Sequence, residues 1–135
     1  MYPLKHLSLT IILGWALAIS GCATKNAPMS QEEFSTALAQ SSANADVLLE
    51  KGQREDAVKV LEDLAKKNPG RKDPWVRMAK IHFDGENYAQ AIVAAEEALQ
   101  RDNTDRTAKS IRAVGGLRVA AQSLTDLRGD VELKG

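Results

Sequence analysis

Residues Asp73 to Leu99 read DPWVRMAKIHFDGENYAQAIVAAEEAL, and this stretch decides the fold. Ala91, Ile92, Ala95, Ala98 and Leu99 stand at i, i+1, i+4, i+7 and i+8, the spacing of one apolar helix face. Trp75, Met78, Ala79, His82 and Phe83 make a second such face just upstream. Moving back 34 residues reproduces both: Ala57, Val58, Leu61, Leu64 and Ala65 repeat the later face, and Ser41, Asn44, Ala45, Leu48 and Leu49 the earlier one. The unit is two helices, used twice. Only Ala45/Ala79, Ala57/Ala91 and Glu62/Glu96 are identical between the copies, so the repeat lives in pattern rather than in letters.

Helix ends follow from chemistry independent of the repeat. Asp73-Pro74 offers an N-cap oxygen and then a proline at the first helical position, where the missing N–H costs nothing. Asn87 with Gln90 resembles a capping box that starts the next helix after Gly85 has ended the previous one, and Gly52 does the same in the first copy. Asn68-Pro69-Gly70 breaks the chain between copies. Ser30 with Glu33 is a further capping box, which starts the first helix near Gln31 and lets Phe34 and Leu38 extend its apolar face.

Beyond Asp105, the residues Ile111, Val114, Leu117, Ala121, Leu124 and Leu127 recur at intervals of three or four, a helix face despite Gly115-Gly116. This helix is expected to pack across the open end of the second copy, with Arg106, Lys109, Arg112 and Arg118 as the solvent side of a cap. At an offset of 36, Ile111, Val114 and Gly115 also mimic the start of a degenerate third unit. The expectation is an all-α chain: an antiparallel helix-pair solenoid of two repeats plus a C-terminal capping helix, spanning 31–128. Residues 129–135 have too little apolar content to order themselves and are expected to form a disordered tail.

On these residues the chain resembles the tetratricopeptide repeat (TPR) family, whose unit of about 34 residues carries a Trp, Leu, Gly, Tyr, Ala, Phe, Ala, Pro series. Trp75, Met78, Ala79, His82, Ala91, Ala95, Ala98 and Asn103 fall on those eight positions, five of them departing from the preferred type. In the first copy Ala57, Leu61, Leu64 and Pro69 fall on the last four. Small side chains at Ala57 and Ala91 let the second helix of each pair lie close against the first.

The amino terminus carries a separate message. Lys5 precedes an apolar run from Leu7 to Ile19, too short for a comfortable membrane span, which needs about 20 residues, and laid out like a secretory signal. The run ends Ile19-Ser20-Gly21-Cys22, which resembles the lipobox of bacterial lipoproteins. That resemblance implies lipidation of Cys22, a signal peptide over 1–21 and a tether over 22–30. Cys22 is the only cysteine, so no internal disulfide exists, and its place directly after the run favours lipid over a buried or free thiol. Two or three acyl chains, as the family carries, anchor stably where one does not. Ala23 stands where an Asp would signal retention at the inner membrane, which implies an outer-membrane lipoprotein facing the periplasm.

Composition removes other classes. Lys5 is the only charged residue among the first 21, so what remains of 18 basic and 18 acidic side chains is within one charge of neutral. No nucleic-acid partner is expected from such a surface. His82 is the single histidine past the signal and sits on the packed face; its plain reading is a partly buried side chain with a hydrogen-bond partner. With no second histidine and no nucleophile beside it, no enzyme is expected. Neither metal-ligand spacings nor a phosphate loop occur, so no metal and no cofactor are expected. Glu62-Asp63 and Glu96-Glu97 read as solvated. A modest, Ala-rich core leaves a homodimer through an exposed helix possible.

Function then rests on surface. In TPR proteins the first helices of successive repeats line a groove that receives a peptide or a partner helix. Carried over, the groove positions of the second copy are Asp73, Val76, Lys80, Phe83 and Asp84, and those of the first include Asp46, Leu49 and Glu50, with Ala39 and Ser42. Asp46 stands where a carboxylate-gripping asparagine is wanted, so no terminal-carboxylate clamp is expected. Ordinary solvated helix surface is the competing reading for each residue. The resemblance implies a membrane-anchored periplasmic adaptor or assembly factor binding a protein or peptide partner in the cell envelope. The alternatives are a pilotin-like or pilus/secretion-system assembly lipoprotein and, in a different class, a non-catalytic subunit of a cell-wall enzyme complex.

Overall fold

The computed structural model of the protein describes residues 27–134; the signal segment 1–21, Cys22 and most of the tether lie outside the described residues. Five helices follow one another: α1 (Gln31–Glu50), α2 (Arg54–Lys67), α3 (Asp73–Asp84), α4 (Tyr88–Arg101) and α5 (Arg106–Leu133). Helices α1 and α2 pack as one pair, α3 and α4 as the next, and α2 packs on α3. Along the other side α1 touches α3 and α3 touches α5, while α5 lies mainly against α4. This is the helical, TPR-like solenoid expected from the repeat, and no strand occurs among the described residues. None of the described helices is long and apolar enough to cross a membrane.

The starts and stops are chemical. Ser30 and Glu33 exchange bonds, the Ser30 N–H donating to the Glu33 carboxylate at 2.8 Å and the Glu33 N–H to the Ser30 hydroxyl at 3.2 Å. Helix α2 has no side-chain cap, but Glu55 and Asp56 in its first turn and Lys66 and Lys67 in its last complement the macrodipole. It stops at Asn68, a buried polar residue whose Nδ2 donates to the Leu64 carbonyl at 3.1 Å. The Asn87 and Asp105 side chains accept from the N–H groups of Gln90 and Ala108 at 3.4 and 2.8 Å. Asp73 is not the N-cap expected of it. It is the first helical residue, and Lys72 holds the N-cap position without capping through its side chain.

Ala45, Ala57, Ala79, Ala91, Ala95 and Ala98 are fully buried, which is what close helix crossing requires. Leu61 and Met78 fill the space between the pairs, with Val58, Ala65 and Leu99 around them. Asn44, read as part of the first face, is exposed; the longer α1 anchors itself through buried Phe34 instead. Arg71 covers the Phe34 ring at 4.8 Å.

Helix α5 departs from expectation twice. Only Ala108, Ile111 and Gly115 pack inward, Gly115 so near Ile92 that an added Cβ would stand 3.1 Å from its Cγ1. Val114 and Leu117, expected on the packed face, are 42% and 71% exposed because they turn away from the side of α5 that carries Ala108, Ile111 and Gly115; Leu124 and Leu127, at 68% and 61%, also lie past the length that the 14-residue α4 can cover. The disordered tail expected from residue 129 is also absent, since α5 continues to Leu133. No proline interrupts it, and Arg128 pairs with Glu132 one turn on at 3.4 Å.

Candidate functional site

The first helices of the two pairs, α1 and α3, touch along one side of the molecule, where α3 also touches α5, and Lys72 joins α3 and α5 at their N-terminal ends. Its ammonium pairs with Asp102 at the end of α4 and with Asp105 at the N-cap of α5, the latter at 2.9 Å. Hydrogen bonds from Lys72 and Thr104 hold the Asp102 carboxyl well below the usual carboxylate range. Burial pushes Asp105 up, but the Ala108 N–H and Lys72 together outweigh it and keep it low. Bonds to Asp102 and Asp105 raise Lys72 above its ordinary value. The junction fixes α5 beside α3, and between them lies the recess that the family groove positions lead to.

Lys80, Phe83 and Asp84 from α3 and Arg106, Thr107, Ser110 and Ile111 from α5 line an open recess of about 410 Å3. Phe83 and Ile111 supply its apolar part. The Phe83 ring is held by an edge-on contact with Tyr88, centroids 5.3 Å apart at 72°. Lys80 and Arg106 put two cations at the rim and Asp84 one carboxylate. An extended peptide with an apolar side chain flanked by acidic groups is the ligand such a wall suits.

The sequence-derived groove residues divide. Lys80, Phe83 and Asp84 come together in this recess. Leu49 and Val76 are half-buried and packed against the core, so they serve the fold first. Asp46 is taken by an ion pair with Arg77 of α3, which ties α1 to α3. Glu50 is exposed at the last turn of α1, and Asp73 is half-buried in the first turn of α3. Sequence reasoning missed the α5 wall, although stepping Asp73 and Val76 forward by another 34 residues lands on Thr107 and Ser110.

His82 lines a separate recess of about 260 Å3 with Arg54, Glu55, Val58, Lys59, Glu62 and Asn87. The hydrogen-bond partner expected for it is not found: Nδ1 is sealed from solvent and unpartnered among the described residues. Burial and the Arg54 guanidinium hold its pKa below the ordinary histidine value, against weaker opposite pulls from Glu62 and Glu55. The acidic pairs read as solvated are partly engaged, Glu97 with Arg101 at 2.8 Å, Glu96 with Arg112 at 3.3 Å and Asp63 with Lys59 at 3.8 Å. Among the described residues no group of three or more His, Cys, Asp or Glu side chains could hold a metal ion.

Comparison with protein families matches the tetratricopeptide repeat model to residues 48–114, from the end of α1 into the packed half of α5. Over those residues the chain is similar to tetratricopeptide repeats. No curated protein matches the chain. TPR repeats mediate protein–protein interactions, and the fold is typically a non-catalytic scaffold. The TPR match covers all of α3 and the α5 wall, so the recess belongs to the repeat region itself.

Proposed function

We propose that this TPR domain is an adaptor of a bacterial envelope, tethered to a membrane by lipid on Cys22 and holding an envelope protein in the α3–α5 recess. It catalyses nothing itself. The observation that carries the reading is the recess, where Phe83 and Ile111 offer an apolar seat between Lys80, Arg106 and Asp84 on helices that a TPR scaffold uses for partners. The tether rests on the lipobox-like Ile19-Ser20-Gly21-Cys22 after an apolar run. A domain held a few residues from lipid meets membrane partners at raised effective concentration. The outer membrane, facing the periplasm, is the location that Ala23 favours.

Two substitutions separate the parts of this reading. Cys22→Ala should move the protein out of the membrane fraction, and unchanged fractionation would remove the lipid anchor. Lys80→Glu should strip the co-purified partner from the full chain at unchanged helix content by circular dichroism. A partner retained at full yield would remove the recess.

A further inference from the structure

We propose that residues 28–34 form a strap that fixes one end of the solenoid toward the membrane, so that the α3–α5 recess opens beside the lipid. The inference rests on the lipid read at Cys22. Several contacts hold the strap down. The Asn68 side chain, buried at the end of α2, donates from Nδ2 to the Met29 sulfur at 3.6 Å as well as to the Leu64 carbonyl. Arg71, in the loop between α2 and α3, donates to the Gln31 side chain and covers the Phe34 ring, 4.8 Å from its centroid. Phe34 itself is buried, and the capping box of Ser30 with Glu33 fixes the angle at which the chain enters α1. Pro28 and Met29 thus lie along the α2–α3 loop, where an unheld chain end would fray.

The strapped end is the one at which α1, α3 and α5 begin. Arg101 at the end of α4 donates to the Pro69 carbonyl there at 2.6 Å, and Lys72 pairs with Asp105 at the N-cap of α5. The turn that carries Gly85 lies at the opposite end, where the Arg54 guanidinium from the start of α2 stands over it. Helix α5 runs toward that opposite end and past it, since Arg118, not halfway along α5, already lies over Tyr88 at the start of α4. Reach decides which end meets lipid. The seven residues from Cys22 to Met29 extend at most about 25 Å. The 28 residues of α5 carry its far end about 42 Å from the strapped end. That far end therefore cannot turn onto the bilayer while the strap holds. Released as far as Phe34, the tether gains five residues and reaches about 43 Å, enough to let the domain invert. The recess begins in the first turn of α5, with Arg106 and Thr107, so the partner segment it takes is one that lies near the membrane surface.

Electron paramagnetic resonance reads the orientation, on the lipid-bearing chain purified from membranes and placed in phosphatidylethanolamine–phosphatidylglycerol vesicles that carry nickel-chelating lipid. Cys22 is the only native cysteine and its thiol carries the lipid, so an introduced cysteine takes the nitroxide alone. Labels at Lys67→Cys and Arg106→Cys should relax several-fold faster than one at Asp130→Cys. That ratio should fall toward one when Arg71→Ala and Met29→Gly undo the strap. It should also fall, with the strap intact, when about ten Gly-Ser residues are inserted after Lys25, which adds roughly 35 Å of reach. Circular dichroism should show the same helix content throughout. Equal relaxation at both ends of the parent, faster relaxation at Asp130→Cys, or a ratio that survives either change would overturn the strap alone. A chain that does not float with the vesicles would remove the lipid at Cys22, and this orientation with it.

Discussion

Gly52 and Glu86 stand 34 residues apart and share one backbone conformation, φ 75° and 60°, the two left-handed residues among those described. Each is the turn between the helices of its pair. In the second copy the glycine has slipped one place, to Gly85, whose φ of −89° needs no glycine. The repeat's geometry thus held while its letter moved. A left-handed non-glycine residue costs roughly 1–2 kcal/mol, and glycine returns part of that through its freer unfolded state.

Glu86→Gly should therefore stabilise the domain by about 1 kcal/mol, and Gly52→Ala should destabilise it by about the same. Nothing lies within 4 Å of a Cβ built at Gly52, so its cost is backbone strain alone. Urea midpoints of the two variants check the pair. Equal and negligible shifts would mean the turns relax freely.

Arg101 ties the two copies at one point. Its Nε donates to the Pro69 carbonyl at 2.6 Å, its Nη1 to the Glu97 carboxylate at 2.8 Å, and its guanidinium lies 4.8 Å from the Trp75 ring centroid. Arg101→Ala should cost about 1–2 kcal/mol and Arg101→Lys should recover little of it, because lysine lacks the planar fork. Thermal melts followed by Trp75 fluorescence give the answer.

Acid should loosen the junction at Lys72. Asp102 and Asp105 are held below their ordinary 3.8, so the stability they contribute is full above that pH and is lost as pH falls through their lowered values. Lys72→Met removes the cation they face, so its acid unfolding should begin at higher pH than that of the parent. Circular dichroism against pH measures the midpoint.

His82 acts in a neighbouring window. Its folded pKa lies below the ordinary 6.5, so the fold prefers neutral imidazole, and stability should be full above about pH 6.5 and decline as pH falls through the lowered value. His82→Gln should flatten that decline. A parent whose urea midpoint is the same at pH 7 and pH 5 would contradict it.

Much of the fold was legible in the chain. Ala57 and Ala91 sit at period-fixed positions and are fully buried, and Ser30 with Glu33 forms the capping box its letters suggest. Ile81 and Ala94 escaped notice because α3 and α4 are covered on more than one side, and a buried arc wider than a stripe blurs its period. Periodicity likewise finds apolar spacing on α5 without saying which side has a neighbour. The candidate site was half legible: Lys80, Phe83 and Asp84 follow the family pattern, whereas the capture of Asp46 by Arg77 depends on how near α1 stands to α3. Cys22, the anchor of the proposed location, lies outside the described residues.

The α3–α5 recess as a protein-binding wall is tested most directly by photocrosslinking in living cells, with a photoreactive side chain at Lys80 in one strain and at Arg112 in another. The account predicts a discrete protein adduct from Lys80 and none of the same mass from Arg112. An adduct from Arg112 alone, or no adduct from Lys80, would contradict it.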